Sequence, residues 1–236
     1  MKLTILGKYG PFPKAGGACS SYLIEDGDTK VLLDLGSGTF SRALERIALD
    51  SIDAVVITHF HYDHCSDLGV MKYALEKMPA MRMKVFSSPT NLIGEPFEHH
   101  MVFDGDTTQI GSLKLQWFQV IHSVPCLAVR VTNRDGSSLF YTGDTAYFEE
   151  LSKYAVGADV ILADTCLLER EGNAVPMHMT AVEAGTVAKK AGAKKLLCTH
   201  IYGGIADENE VLKRVGFDNA IVVEEGATYE VGNGNG

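Results

Sequence analysis

VVITHFHYDHCSDLG (55–69) sets an apolar run, Val55 to Ile57, directly ahead of His59, His61, Asp63 and His64. Four such side chains are costly in a core unless they are hydrogen-bonded or paired. Placed together at the end of a buried strand, they read as donors converging on something. His59 and His61 are two apart and can face one ion from a turn, while Asp63 and His64 can face a second. Zinc accepts imidazole nitrogen and carboxylate oxygen at about 2.0–2.2 Å. A lone H-x-H would be weak evidence, whereas H-x-H-x-D-H behind an apolar strand is specific. The competing reading is a solvated loop in which Asp63 caps the following helix.

More ligands must come from elsewhere, and strand ends supply candidates. AVVITH ends at His59, SLFYTGD at Asp144, DVILAD at Asp164 and KLLCTH at His200. Four apolar strands of one design suggest that one rim of the fold carries the chemistry, because a sheet holds side chains at its strand ends while loops give access. His122 in VIHSVP also follows an apolar run, and the two oxygens of Asp144 could bridge two ions. Taken singly, His122 could be a surface loop residue, Asp144 a helix N-cap and His200 a satisfied strand-end histidine. The pair His99–His100 precedes no apolar strand end, and EHH (98–100) reads as a solvated turn.

Outward from these motifs, KLTILG and SYLIEDGDTKVLLDLG read as strands, the second as a hairpin about Asp26–Gly27–Asp28. SRALERIALD has helical spacing with Leu44 and Ile47 on one face, and DLGVMKYALEKM is a helix stopped by Pro79. The middle is rich in strands; helices AYFEELSKYA, TAVEAGTVAKKAG and DENEVLKRV then alternate with strands. The order β-rich, β/α, β-rich, β/α predicts two sheets with helices outside both. We expect one domain over residues 1–230 and a disordered tail over 231–236.

The 236 residues are 46% hydrophobic, enough for a sizeable core without disulfides. The N-terminus does not read as a signal peptide, and no stretch approaches transmembrane length. Five cysteines, an odd number without C-x-x-C, lie in or beside apolar stretches and read as free thiols of a reducing, cytoplasmic compartment. The net charge of −9 disfavours a large nucleic-acid footprint but not a small phosphate substrate. Apolar residues in YFEELSKY permit a homodimer face without showing one.

THFHYDH (58–64) resembles the signature of the metallo-β-lactamase fold superfamily, and His122, Gly143–Asp144 and Thr199–His200 resemble its later motifs in chain order. LLDLGSG (32–38) resembles the strand turn that precedes the signature. The resemblance spans essentially the whole chain and implies a four-layer αββα sandwich. It implies that His59, His61 and His122 hold one metal, that Asp63, His64 and His200 hold another, and that Asp144 bridges them. Asp34 would orient a ligand histidine. The implied cofactor is two zinc ions per chain, with manganese or iron as substitutes. His61 stands where the redox di-iron members carry an acidic residue, which favours a hydrolytic site; Asp144 stands where the main zinc β-lactamases carry cysteine.

VPMHMTAVEAGTVAKKAGAKKLLCTH (175–200) resembles the ribonuclease Z and cyclic phosphodiesterase branch, which implies a role for His178 beside the scissile phosphate. Asp164 stands where that branch usually has a glutamate that orients this histidine. The catalytic candidates are therefore Asp63, His178 and Asp164. No basic arm for gripping tRNA is present between Asp144 and Asp164. The implied activity is hydrolysis of a small or exposed phosphodiester by a hydroxide shared between two zinc ions. The alternatives are an ester, lactone or thioester hydrolase on the same centre, and a metal-binding protein without catalysis.

Overall fold

The computed structural model describes residues 1–169, 177–205 and 207–232. Two seven-stranded mixed sheets face each other. The first runs from edge to edge as Thr228–Glu230, Lys2–Gly7, Ser21–Asp26, Thr29–Leu33, Ala54–Ile57, Met83–Ser87 and Phe97–Met101. The second runs Ala220–Val222, Lys195–Thr199, Val160–Asp164, Ser138–Tyr141, Leu127–Thr132, Leu113–Gln119 and Thr107–Ile110. Helices cover both outer faces, so the expected αββα sandwich is the fold.

The strand side chains alternate between two destinations, as a period of two requires. Val56 and Leu197 point into the core between the sheets, with Trp117 and Tyr141. Val55 and Ile57 point outward under the helix Leu68–Glu76, which buries Leu68, Met71 and Leu75. Leu196 and Cys198 point outward beneath Ala181–Ala191 and Asn209–Val215. Central strands buried on both faces need uninterrupted apolar runs, which is why VVI, VILA and LLC lack polar alternation. Burial of each such side chain contributes about 1.5–3 kcal/mol.

Parallel pairing decides where the chemistry sits. Thr29–Leu33, Ala54–Ile57 and Met83–Ser87 run parallel in the first sheet. Ser138–Tyr141, Val160–Asp164 and Lys195–Thr199 run parallel in the second. Their carboxyl ends lie at one rim, the usual location of ligands in open α/β sheets. A third, two-stranded sheet pairs Ile201–Tyr202 with Tyr9–Gly10 and ties the N-terminal loop to that rim.

Three local expectations change. EHH is not a turn: Phe97–Met101 is an edge strand parallel to Met83–Ser87, and His99 Nε2 lies 2.9 Å from Ser87 Oγ. Backbone pairing, the His99–Ser87 contact and the stacking of His100 on Phe86 at 4.7 Å accommodate the polar side chains at the edge. The first helix is shorter than its pattern and covers only Thr39–Leu44; Phe40, Ala43 and Ile47 face the core, whereas Leu44 is exposed. Of the expected tail, Val231 is buried and its amide donates to the Met1 carbonyl, while residues 233–236 lie outside the described residues.

Candidate metal centre

His59 follows the strand Ala54–Ile57 by two residues, and its neighbours His61, Asp63 and His64 lie on or just before the one-turn helix Tyr62–Cys65. His122 follows Leu113–Gln119, Asp144 follows Ser138–Tyr141, and His200 follows Lys195–Thr199. All seven predicted donors meet at the rim. His59, His61, His122 and Asp144 bring donor atoms within 4.8 Å of one another, and so do Asp63, His64, Asp144 and His200. Asp144 belongs to both sets.

The edges of the two clusters suit cations. His59 Nε2 and His122 Nε2 each lie 3.1 Å from His61 Nδ1. Asp144 Oδ2 lies 3.6 Å from His59 Nε2, and 3.1 Å from His200 Nε2. His64 Nε2 is 3.3 Å from Asp144 Oδ1 and 3.5 Å from Asp63 Oδ2, which is 3.2 Å from His200 Nε2. Donors about 2.0–2.1 Å from a tetrahedral ion would be separated by about 3.3 Å, close to these values. His64 Nε2 and Asp144 Oδ1 are buried and make no hydrogen bond among the described residues.

The proton inventory leads to the same place. The Met177 carbonyl can only accept, so His122 Nδ1 donates to it at 2.9 Å, leaving a lone pair on Nε2 of the neutral ring. His59 Nδ1 lies 3.1 Å from Thr58 Oγ1, which also lies 3.0 Å from Asp34 Oδ1. The carboxylate takes the hydroxyl proton, so His59 Nδ1 donates to Thr58 and its Nε2 also carries a lone pair. His61 Nδ1 then meets two lone pairs and has at most one proton to share. A cation resolves the conflict.

Charge sharpens this. Burial, with repulsion from His64, holds His59 well below the ordinary histidine range; burial also lowers His122. Burial opposes protonation of His64, but the carboxylates of Asp144 and Asp34 outweigh it and push the imidazole up to about 10. His200 is likewise buried yet raised well above its ordinary value, chiefly by Asp144. Positive charge is thus disfavoured on His59 and His122, whereas the carboxylates around His64 and His200 favour it, from protons or from an ion.

Supporting contacts fix the ring orientations. Asp34, fully buried at φ 57°, accepts from the Thr58 amide at 2.8 Å and lies 2.8 Å from His64 Nδ1. His200, at φ 53°, is the other non-glycine residue in the left-handed region. Both positions are unfavourable for ordinary side chains and are held by the surrounding sheets. Asp164 is fully buried and accepts from the amides of Thr145 and Cys166. Its Oδ2 lies 2.9 Å from His178 Nδ1, so the shorter carboxylate does reach that ring. Burial pulls His178 down, but Asp164 more than compensates and the group titrates above its ordinary value.

His178 does not cap the following helix. Thr180 is the N-cap, accepting from the Glu183 amide while Glu183 accepts from the Thr180 amide, and Gly192 closes the other end at φ 66°. His178 is thus free to stand beside the donor cluster, with its ring stacked 5.1 Å from that of His200.

Several participants were not visible in the chain. Thr58, Tyr141 and Cys166 enter the site from buried positions that read as ordinary core or strand residues. Gly10 and Gly36 are close-approach positions: a Cβ on Gly10 would lie 1.9 Å from His200 Nε2, and one on Gly36 would lie 2.0 Å from the Asp63 carbonyl. The pairing of Tyr9–Gly10 with Ile201–Tyr202 carries no local sequence signal.

The sandwich and its rim of imidazoles and carboxylates define a metallo-hydrolase-type fold and site. Residues 29–201 match the family model of the beta-lactamase superfamily domain, and the chain belongs to that family. It is 29% identical to the probable metallo-hydrolase YhfI of Bacillus subtilis, over 98% of this chain and 100% of that one. The crystal structure of YhfI, a metallo-beta-lactamase fold protein, superposes with a TM-score of 0.89 over 97% of this chain and 98% of that chain. Identity to the Mycobacterium tuberculosis protein Rv1339 is 30%, covering 98% and 92% of the two chains. A ribonuclease Z of Methanopyrus kandleri is 25% identical over 84% of this chain and 86% of its own. No helix among the described residues is long and apolar enough to cross a membrane.

Proposed function

We propose that the protein is a zinc-dependent phosphodiesterase acting on a small or exposed phosphodiester, built as one catalytic domain. The observation that carries this reading is the His178–Asp164 pair. His178 Nδ1 lies 2.9 Å from Asp164 Oδ2 and 3.8 Å from Asp144 Oδ2, and its side chain, at 23% exposure, is open where the other members of the pair and bridge are sealed.

His59, His61 and His122 would hold one ion, Asp63, His64 and His200 the other, and Asp144 both. Bound there, the ions supply Lewis acidity and a water activated near neutral pH. The remaining work belongs to the chain. Asp164 fixes a proton on His178 Nδ1, so a charged ring can also donate from Nε2. That N–H stabilises a phosphoryl oxygen as negative charge grows on it, or passes its proton to the departing oxygen. Asp63 Oδ2, 3.2 Å from His200 Nε2, would share the second ion with that ring and balance part of its charge. Similarity to a ribonuclease Z supports phosphodiester chemistry, and the net charge of −9 favours a small substrate over a long nucleic acid. Five free cysteines, four of them buried, suit a reducing cytoplasm.

The test is a substrate panel run with His178→Ala. Bis-p-nitrophenyl phosphate and cyclic nucleotides are compared with nitrophenyl esters, lactones and a cephalosporin. Phosphodiester cleavage is expected to lead, and His178→Ala to keep both ions while kcat falls about 10²–10⁴-fold. A smaller fall on substrates with good leaving groups identifies proton donation. Faster turnover of esters or lactones overturns the phosphodiesterase reading, and an unchanged kcat removes His178 from the mechanism.

A further inference from the structure

Tyr141 ends the strand Ser138–Tyr141 of the second sheet, yet its hydroxyl reaches across the sandwich. It donates to Asp34 Oδ2 at 2.7 Å, and Asp34 follows a strand of the first sheet. Both residues are sealed from solvent, at 1% and 0% exposure. The tyrosine ring is held edge-on against Tyr22 with centroids 5.0 Å apart, so the hydroxyl has a set direction.

Asp34 in turn reaches a histidine in each donor cluster. His64 Nδ1 donates directly to Oδ2 at 2.8 Å, which leaves His64 Nε2 for the cluster of Asp63 and His200. The Thr58 hydroxyl donates to Asp34 at 3.0 Å and accepts from His59 Nδ1 at 3.1 Å, which leaves His59 Nε2 for the cluster of His61 and His122. One carboxylate therefore fixes the tautomer and tilt of a ligand in both clusters. Among the described residues, Tyr141 is its hydrogen-bond donor from the opposite sheet. Without that hydroxyl, Asp34 keeps its donors from His64 and Thr58, and the carboxylate can shift toward them, moving His64 directly and His59 through Thr58.

We propose that Tyr141 is a positioning residue that sets the metal affinity of both positions at once, acting through Asp34 across the inter-sheet gap. The inference rests on the dinuclear reading of the site and adds a residue and a coupling that the ligand list does not contain. Groups that hold a ligand histidine directly, as Asp34 holds His64, typically change metal affinity about 10–100-fold when removed, and Tyr141 acts through that group.

The experiment is a zinc titration of the full-length metal-free protein against a chromophoric chelator, with thermal denaturation at each loading. Wild type should take up two ions. Tyr141→Phe keeps the ring and is expected to weaken both steps by about 10-fold or more, with kcat recovering at saturating zinc. The metal-free Tm should fall, because a buried carboxylate loses a donor, and the zinc-induced rise above that baseline should shrink as well. Asp34→Asn should weaken the same two steps, and adding Tyr141→Phe to it should cost little more, because residues in one hydrogen-bond network are not additive. Fewer than two ions in wild type overturns the dinuclear reading and the inference with it. Two ions in wild type with unchanged affinities in Tyr141→Phe overturns the inference alone. Loss confined to one step, or full additivity with Asp34→Asn, removes the coupling through Asp34. If Tyr141→Phe does not fold, wild-type affinities in Asp34→Asn still overturn it.

Discussion

Gly10→Ala tests the assignment of His200 as a ligand without touching any donor. Gly10 sits in the two-stranded sheet beside Tyr202, facing the His200 ring. A Cβ there would lie 1.9 Å from Nε2, 2.2 Å from Cε1 and 2.5 Å from Cδ2. Ordinary contact begins near 3.4 Å, so Nε2 and the Gly10 backbone must separate by about 1.5 Å along that line. Metal sites hold their ligand distances within about ±0.2 Å, so a displacement several times larger removes the donor. Gly10 is not in the left-handed region, so alanine brings no backbone penalty of its own. Overpacking of this kind costs about 1–3 kcal/mol, which a fold of this size tolerates. Elemental analysis of the purified variant, with circular dichroism to confirm folding, should show about one ion per chain instead of two. Activity should fall on the order of 10²-fold or more, the scale of losing one preorganised electrostatic partner. Gly94→Ala, where a Cβ meets nothing within 4 Å, is the matched control. A folded Gly10→Ala protein with two ions and undiminished kcat would refute the reasoning.

Other consequences are as direct. Asp144→Ala should lower the content of both ions, because its two oxygens face both clusters; a variant that keeps two tightly bound ions would exclude a bridging role. Glu208 receives hydrogen bonds from Tyr9 and Lys14 at 2.7 and 2.6 Å and pairs with Lys8. Partial burial tends to raise its carboxyl, but Lys14, Lys8 and Tyr9 prevail and depress it to about 2 from 4.5. A depressed carboxyl stabilises the fold fully above the unfolded value, and that contribution is lost as pH falls from about 4.5 toward 2. Urea titrations across this window should show a steeper loss of stability in wild type than in Glu208→Gln, and parallel curves would show that the cluster contributes nothing.

The metal motif was legible because it breaks a rule that the rest of the chain obeys. Apolar runs such as VVI, VILA and LLC have one physical use, burial, and a ligand-type residue at the end of each marks the rim in the sequence itself. Helix and strand periodicity likewise announced the layers. His178 and Asp164 were separately nameable, but their 2.9 Å contact required the strand Val160–Asp164 and the turn before Thr180 to meet.

What local sequence determined, then, was the chemistry on offer: seven donors, their order, and the alternation of sheets and helices that could carry them. What tertiary structure decided was their convergence and support. Tyr141 lies in an unremarkable SLFY strand, Thr58 beside a histidine, and Gly10 just before a proline-rich stretch, and none carries a local signal of its role. Their functions exist only once two sheets are stacked and the chain's ends are paired. A hydrogen bond or a van der Waals limit depends on distance in space, and 107 residues separate Tyr141 from Asp34 along the chain but only 2.7 Å across the core.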